Sequence, residues 1–160
     1  MRGWVTFGVA GLLFYLAGAL QQGVAYHFSI FGARPDFLLV AMAGLCLVGN
    51  RREAVIWGFV AGLMMGALSG ANLTVYVTSR TLAGVLFGGV KMLDLQAGWA
   101  TTVVSAIGIT LVAEVVFLLL APPVGVGAFL ADTIRTAMYN GVLAIPVYAL
   151  LSRILPAAGR

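Results

Sequence analysis

Residues 4–20 read WVTFGVAGLLFYLAGAL, and this stretch decides the class of fold. No charge occurs between Arg2 and Arg34, and the run closes on Gln21, Gln22 and Gly23 rather than on an ionic surface. About 20 apolar residues in a helix cross the ~30 Å hydrocarbon core of a bilayer. The rest of the 160 residues agrees: 62% are hydrophobic and 9% charged, against about 45–50% and 25% in a soluble domain. Nine bases and five acids cannot cover the outside of a water-soluble domain of this length. Arg2 ahead of an apolar run resembles a secretory signal, but more membrane sequence follows, so the segment is expected to stay as a span.

The formal net charge of +4 is no nucleic-acid signature. The bases stand singly or as the pair Arg51-Arg52 between apolar stretches, as topological anchors do, and no phosphate-binding stripe forms. One cysteine, Cys46, excludes an internal disulfide, and with the single His27 no thiolate or imidazole metal cluster assembles. No metal or other cofactor is expected.

Outward from the first run, residues 26–32 mix aromatics with polar atoms, as at headgroup depth. Arg34-Pro35-Asp36 then starts a helix, since Pro fits a first turn and Asp complements the positive helix N-terminus. The next run, 37–49, covers only about 20 Å. It is read as a short full span, because Asn50-Arg51-Arg52-Glu53 at a hairpin tip inside hydrocarbon would cost several kcal/mol. The expected architecture is all-α, one transmembrane domain over 1–160, with six spans at about 4–22, 36–49, 54–69, 73–90, 97–120 and 133–151. Pro122-Pro123 stops the fifth span and Pro146 is expected to kink the sixth. Arg2, Arg51, Arg52, Lys91, Arg153 and Arg160 fall on one side, which predicts cytoplasmic termini.

In the third span Gly58, Gly62, Gly66 and Gly70 recur every fourth residue, forming a stripe that admits another backbone, internal or from another protein. Gly84 and Gly88 repeat the pattern in the fourth. Arg80 and Glu114 are ionisable at depth, where charge is expensive unless paired or wet. The plainer reading is an internal salt bridge or a snorkelling arginine; the sharper one is a transport or proton-relay role. Too few titratable groups accompany them to favour a relay. Asp132 and Arg135, three apart, share a helix face and can pair. Asn140 is expected to hydrogen-bond a neighbouring helix. No serine has a histidine at plausible depth, His27 reads as an interfacial aromatic, Cys46 as packing, and no P-loop, dinucleotide fingerprint or HExxH occurs. An enzyme is the least supported class.

These motifs resemble the MreD family of rod shape-determining proteins, small multispanning members of the bacterial elongation machinery. Arg34-Pro35-Asp36-Phe37-Leu38-Leu39-Val40 is similar to the start of that family's second span. Gly58-Phe59-Val60-Ala61-Gly62 leading into Leu68-Ser69-Gly70 resembles its glycine-rich third span, and Tyr139-Asn140-Gly141-Val142-Leu143 with Pro146 its last. One departure stands out: the family commonly carries an acid before the hydrophobic-Ser-Gly end of span three, where this chain has Gly66-Ala67, so no role for that acid is carried over. The resemblance implies a non-enzymatic scaffold in the bacterial inner membrane. It would bind the membrane anchor of the bitopic protein MreC and, through it, the peptidoglycan glycosyltransferase and transpeptidase. It also implies a fold similar to the substrate-binding subunit of energy-coupling-factor transporters. That likeness supplies the alternative of a solute-binding subunit of a vitamin transporter.

Overall fold

The computed structural model describes residues 2–29, 32–88 and 98–155, with side chains from residue 4 onward. Lys91 and Arg160, the expected end of span four at 90 and the start of span five at 97 lie outside the described residues. Among the described residues the chain forms six helices and no strand. They are α1 (Arg2–Gly23), α2 (Phe37–Val48), α3 (Arg51–Ser69), α4 (Leu73–Phe87), α5 (Trp99–Leu120) and α6 (Val126–Ile154). Four of these contain stretches long and apolar enough to cross a membrane: Trp4–Gly23, Arg51–Ser69, Trp99–Leu120 and Val126–Ile154.

Side-chain pairings give the chain direction. Gly58 and Gly62 of α3 face Arg80 and Tyr76 of α4, so those helices run antiparallel. Tyr76 meets Phe117 of α5, and Phe87 meets Gly108, which makes α4 and α5 antiparallel too. Gly141 of α6 rests on Ile107 and Val103 of α5. Helix α2 runs parallel to α6, with Asp36 bonded to Asn140 at one end and Gly44 beside Val147 and Leu151 further along. The result alternates up and down, so residues 34–36, 70–72, 114–132 gather at one end and 49–52 and 153 at the other.

The short helix α2 is the centre of this bundle. Ten of its twelve residues are buried, with Leu38, Met42 and Ala43 fully inaccessible. It packs against α1, α3, α5 and α6. A helix sheathed in protein need not match the bilayer's thickness, because its ends are satisfied by neighbouring helices rather than exposed to lipid. Its length of about 18 Å at 1.5 Å per residue follows from the caps at each end.

Helix boundaries shift from the expected spans where capping decides them. Helix α3 begins at Arg51 rather than 54, because Asn50 and Glu53 form a reciprocal capping box: the Asn50 side chain accepts from Glu53 N and the Glu53 carboxylate accepts from Asn50 N, both at 2.9 Å. The two arginines of the turn are therefore exposed residues of a first helical turn. Helix α6 begins at Val126, seven residues before 133, immediately after Gly125 in the left-handed region at φ 91°. It continues through Pro146, which sits at an exposed position.

The glycine stripe divides in two. A Cβ on Gly62 would lie 2.5 Å from the Tyr76 carbonyl oxygen and 2.6 Å from Val77 Cα. One on Gly58 would collide with the Arg80 carbonyl, and one on Gly66 would come 2.8 Å from Leu73 Cα. Gly84 answers from α4, facing the Ala54 carbonyl, and Gly88 faces Arg51. The partner of the stripe is thus internal, the α4 backbone. Gly70 is not part of it: with φ 66° and nothing within 4 Å of a Cβ placed on it, it ends α3 as a left-handed cap. Ser69 beside it is exposed and donates its hydroxyl to the Ala71 carbonyl at 2.8 Å.

Candidate functional site

The N-terminus of α2 is buried, and a helix N-terminus carries N–H groups without intrahelical partners. This chain satisfies them from several directions. Asp36 is the N-cap, and its Oδ1 accepts from Leu39 N at 2.9 Å. Phe37 N donates to Gln21 Oε1 of α1 at 2.8 Å. Asp36 N donates to Asn140 Oδ1 of α6 at 3.0 Å, and Asn140 Nδ2 donates in turn to Thr110 Oγ1 of α5 at 3.1 Å. Thr110 donates its own proton to the Ala106 carbonyl at 2.9 Å. Asn140 and Thr110 are fully buried, so each unmade bond there would cost about 1–3 kcal/mol.

Charge completes the knot. Arg80, 1% exposed, donates from Nη2 to Asp36 Oδ2 in a short contact. Its guanidinium also lies over the Tyr76 ring, 4.8 Å from the centroid and one helical turn away on α4. Arg80 Nε has no hydrogen-bond partner, which the cation–π contact partly offsets. The internal salt bridge of Arg80 is therefore made with Asp36, and among the described residues Glu114 forms none. Sequence reading gave Asp36 only the charge that complements a helix N-terminus, within a family motif. A carboxylate has two oxygens, and one caps while the other takes the guanidinium.

Beside the knot lies a cavity of about 270 Å³. Asp36 and Pro35 form part of its wall, Glu114 comes from α5, and Asp132, Thr133 and Thr136 from α6. Arg34 closes another side, its guanidinium 4.7 Å from the Tyr26 ring centroid and its carbonyl accepting from the Thr136 hydroxyl at 3.2 Å. An aromatic series runs from Tyr76 to Phe117 at 4.8 Å and on to Phe129 at 6.2 Å, where it reaches the cavity. Asp132 and Arg135 do approach, at 3.4 Å, but both are more than half exposed.

The candidate residues thus fall into separate groups. Arg34, Pro35, Asp36, Arg80 and Asn140 converge, and Glu114 and Asp132 share the adjoining cavity. Gly141 packs on α5, while Ser69 and Gly70 belong to the α3 terminus and Pro146 to the far half of α6. Gln21 and Thr110 were missed by sequence reading. Gln21 was legible only as the close of the first span, and Thr110 looked like one more small residue in an apolar run. His27 is exposed beside Tyr26, with ring centroids 6.1 Å apart. Cys46 is buried on α2.

Helices long enough to cross a bilayer, closed around a small core of hydrogen-bonded polar groups, define an integral membrane protein of the helical-bundle class. The chain belongs to the MreD family: the model of rod shape-determining protein MreD matches residues 1–155, essentially its whole length. Its role accordingly lies in rod shape determination, within a family of shape-determining proteins rather than a known enzyme family. No curated protein and no solved structure matches the chain.

Proposed function

We propose that this protein is a non-enzymatic scaffold of the cell-wall elongation complex. It sits in the bacterial inner membrane with both termini cytoplasmic, binds the MreC membrane anchor and, through it, links to the peptidoglycan glycosyltransferase and transpeptidase. The observation that carries the reading is the family match over residues 1–155. The commitment of the buried polar groups supports it: Asp36, Arg80, Asn140 and Thr110 are spent on holding helices together. Large apolar side chains such as Trp4, Tyr15, Met138 and Val142 point away from the bundle, where lipid or a partner helix meets them.

The test is depletion followed by rescue. Depletion should make rods round up, and detergent extracts should yield MreC together with the synthase pair. Recovery of ATPase subunits instead would favour the transporter-subunit alternative and the energy-coupling-factor likeness that goes with it. Orientation is checked by cysteine labelling in intact cells. A cysteine at Gly125 should react from outside, whereas Arg52→Cys should be protected, and external labelling of the latter would overturn the arrangement.

A further inference from the structure

The cavity beside α2 holds charges that the bundle's own contacts do not neutralise. Asp36 is matched by Arg80 and Asp132 lies against Arg135. Glu114, on a membrane-crossing helix, lines the cavity with no hydrogen-bond or ion-pair partner among the described residues. Arg34 lines it as well, and its guanidinium contacts the face of Tyr26 rather than a carboxylate. A carboxylate that feels the charge of Arg80 but makes no hydrogen bond or ion pair is costly at such a place unless a cation or water meets it. A guanidinium with its forked donors uncommitted is a ready receptor for a carboxylate or phosphate. Apolar walls from Met65 and Phe129 lie in the same cavity and suit a short methylene link. The volume of about 270 Å³ lies just below the ~300–1,000 Å³ of drug-sized pockets, and suits something of headgroup size.

We propose that this cavity binds a zwitterion bearing a primary ammonium and an anionic oxygen group, the ammonium on Glu114 and the anion on Arg34. The chemistry is that of phosphoethanolamine, supplied by an ethanolamine lipid headgroup or by a free zwitterion. The site is separate from the scaffold reading, since neither residue is among the outward apolar side chains that lipid or a partner helix meets.

The experiment uses the full chain in nanodiscs of phosphatidylethanolamine with phosphatidylglycerol, and in matched discs with phosphatidylcholine, whose quaternary ammonium donates no hydrogen bond. Lipid retained on the protein is read by native mass spectrometry and thermal stability is read in parallel. The wild type should retain the ethanolamine lipid over the choline lipid by about tenfold, the scale of one charge-assisted hydrogen bond. Glu114→Gln, an uncharged near-isostere, should lose that preference, and Arg34→Gln should weaken retention of both lipids. If Glu114→Gln does not fold, Arg34→Gln still reads the anionic half of the site. Free O-phosphoethanolamine added to choline discs separates the sources: raised thermal stability assigns a soluble zwitterion, and no response alongside an ethanolamine-lipid preference assigns the headgroup. Equal retention of both lipids by the wild type with no response to phosphoethanolamine overturns the proposal. So does a full preference persisting in Glu114→Gln.

Discussion

The α3–α4 hairpin and the α2 N-terminus hold the same bundle together by opposite means. Along α3–α4 the side chains are removed: Gly58, Gly62 and Gly66 bring one backbone against the carbonyls and Cα atoms of Arg80, Tyr76, Val77 and Leu73. At the N-terminus of α2 the side chains that meet are polar and bonded to one another, with Asp36 serving a cap and an arginine and Asn140 bridging α2 to α5. Lipid chains are as apolar as leucine, so hydrophobicity alone does little to draw helices together in a membrane. Close packing supplies attraction that is tolerant of polarity but intolerant of volume. The polar knot is the reverse, tolerant of small changes in volume but not of a missing atom.

The largest test of this contrast is Asp36→Ala. It leaves Arg80 uncompensated and uncaps α2, and should cost about 3–5 kcal/mol in thermal or denaturant unfolding in mild detergent. Combining Asp36→Asn with Arg80→Met should recover much of the loss of either single change, since no buried charge is then left alone. Glu114→Gln combined with an Arg80 change should show no such recovery. Recovery there would make Glu114 an ion-pair partner of Arg80.

Next in size, Gly62→Leu adds volume where a Cβ already meets the Tyr76 carbonyl, and should destabilise the hairpin by about 1–3 kcal/mol or more. Phe59→Leu on the exposed side of α3 is the control and should stay within about 0.5 kcal/mol. Equal tolerance of both would make the stripe merely compositional. Asn140→Ala changes little volume yet strands Asp36 N, so a loss of about 1–3 kcal/mol is expected. Wild-type amide-exchange protection at Asp36 persisting in that variant would show that another group had taken over the bond. The smallest effect belongs to Asp132→Asn. Its pair with Arg135 is exposed and 3.4 Å long, so its removal should shift stability by about 0–1 kcal/mol.

Local signals in the chain carried far into the fold. Seventeen uncharged residues at 4–20 specify a membrane helix whatever surrounds them, because the bilayer tests length and hydropathy directly. The four-residue glycine spacing marks a small face on α3, and Asp36 after Pro35 marks a helix start, since periodicity and capping act within a turn or two. Six helices were legible on this basis, although Asn50-Glu53 and Gly125 moved two of the starts. Partnership was not legible. Asp36 and Arg80 are 44 residues apart and Asp36 and Asn140 are 104 apart. Which acid meets which base depends on how each helix is rotated and slid against its neighbours, a choice made by the summed packing of all six. For the same reason only the tertiary structure makes α2 a short, enclosed centre and sets Glu114 and Arg34 around one cavity.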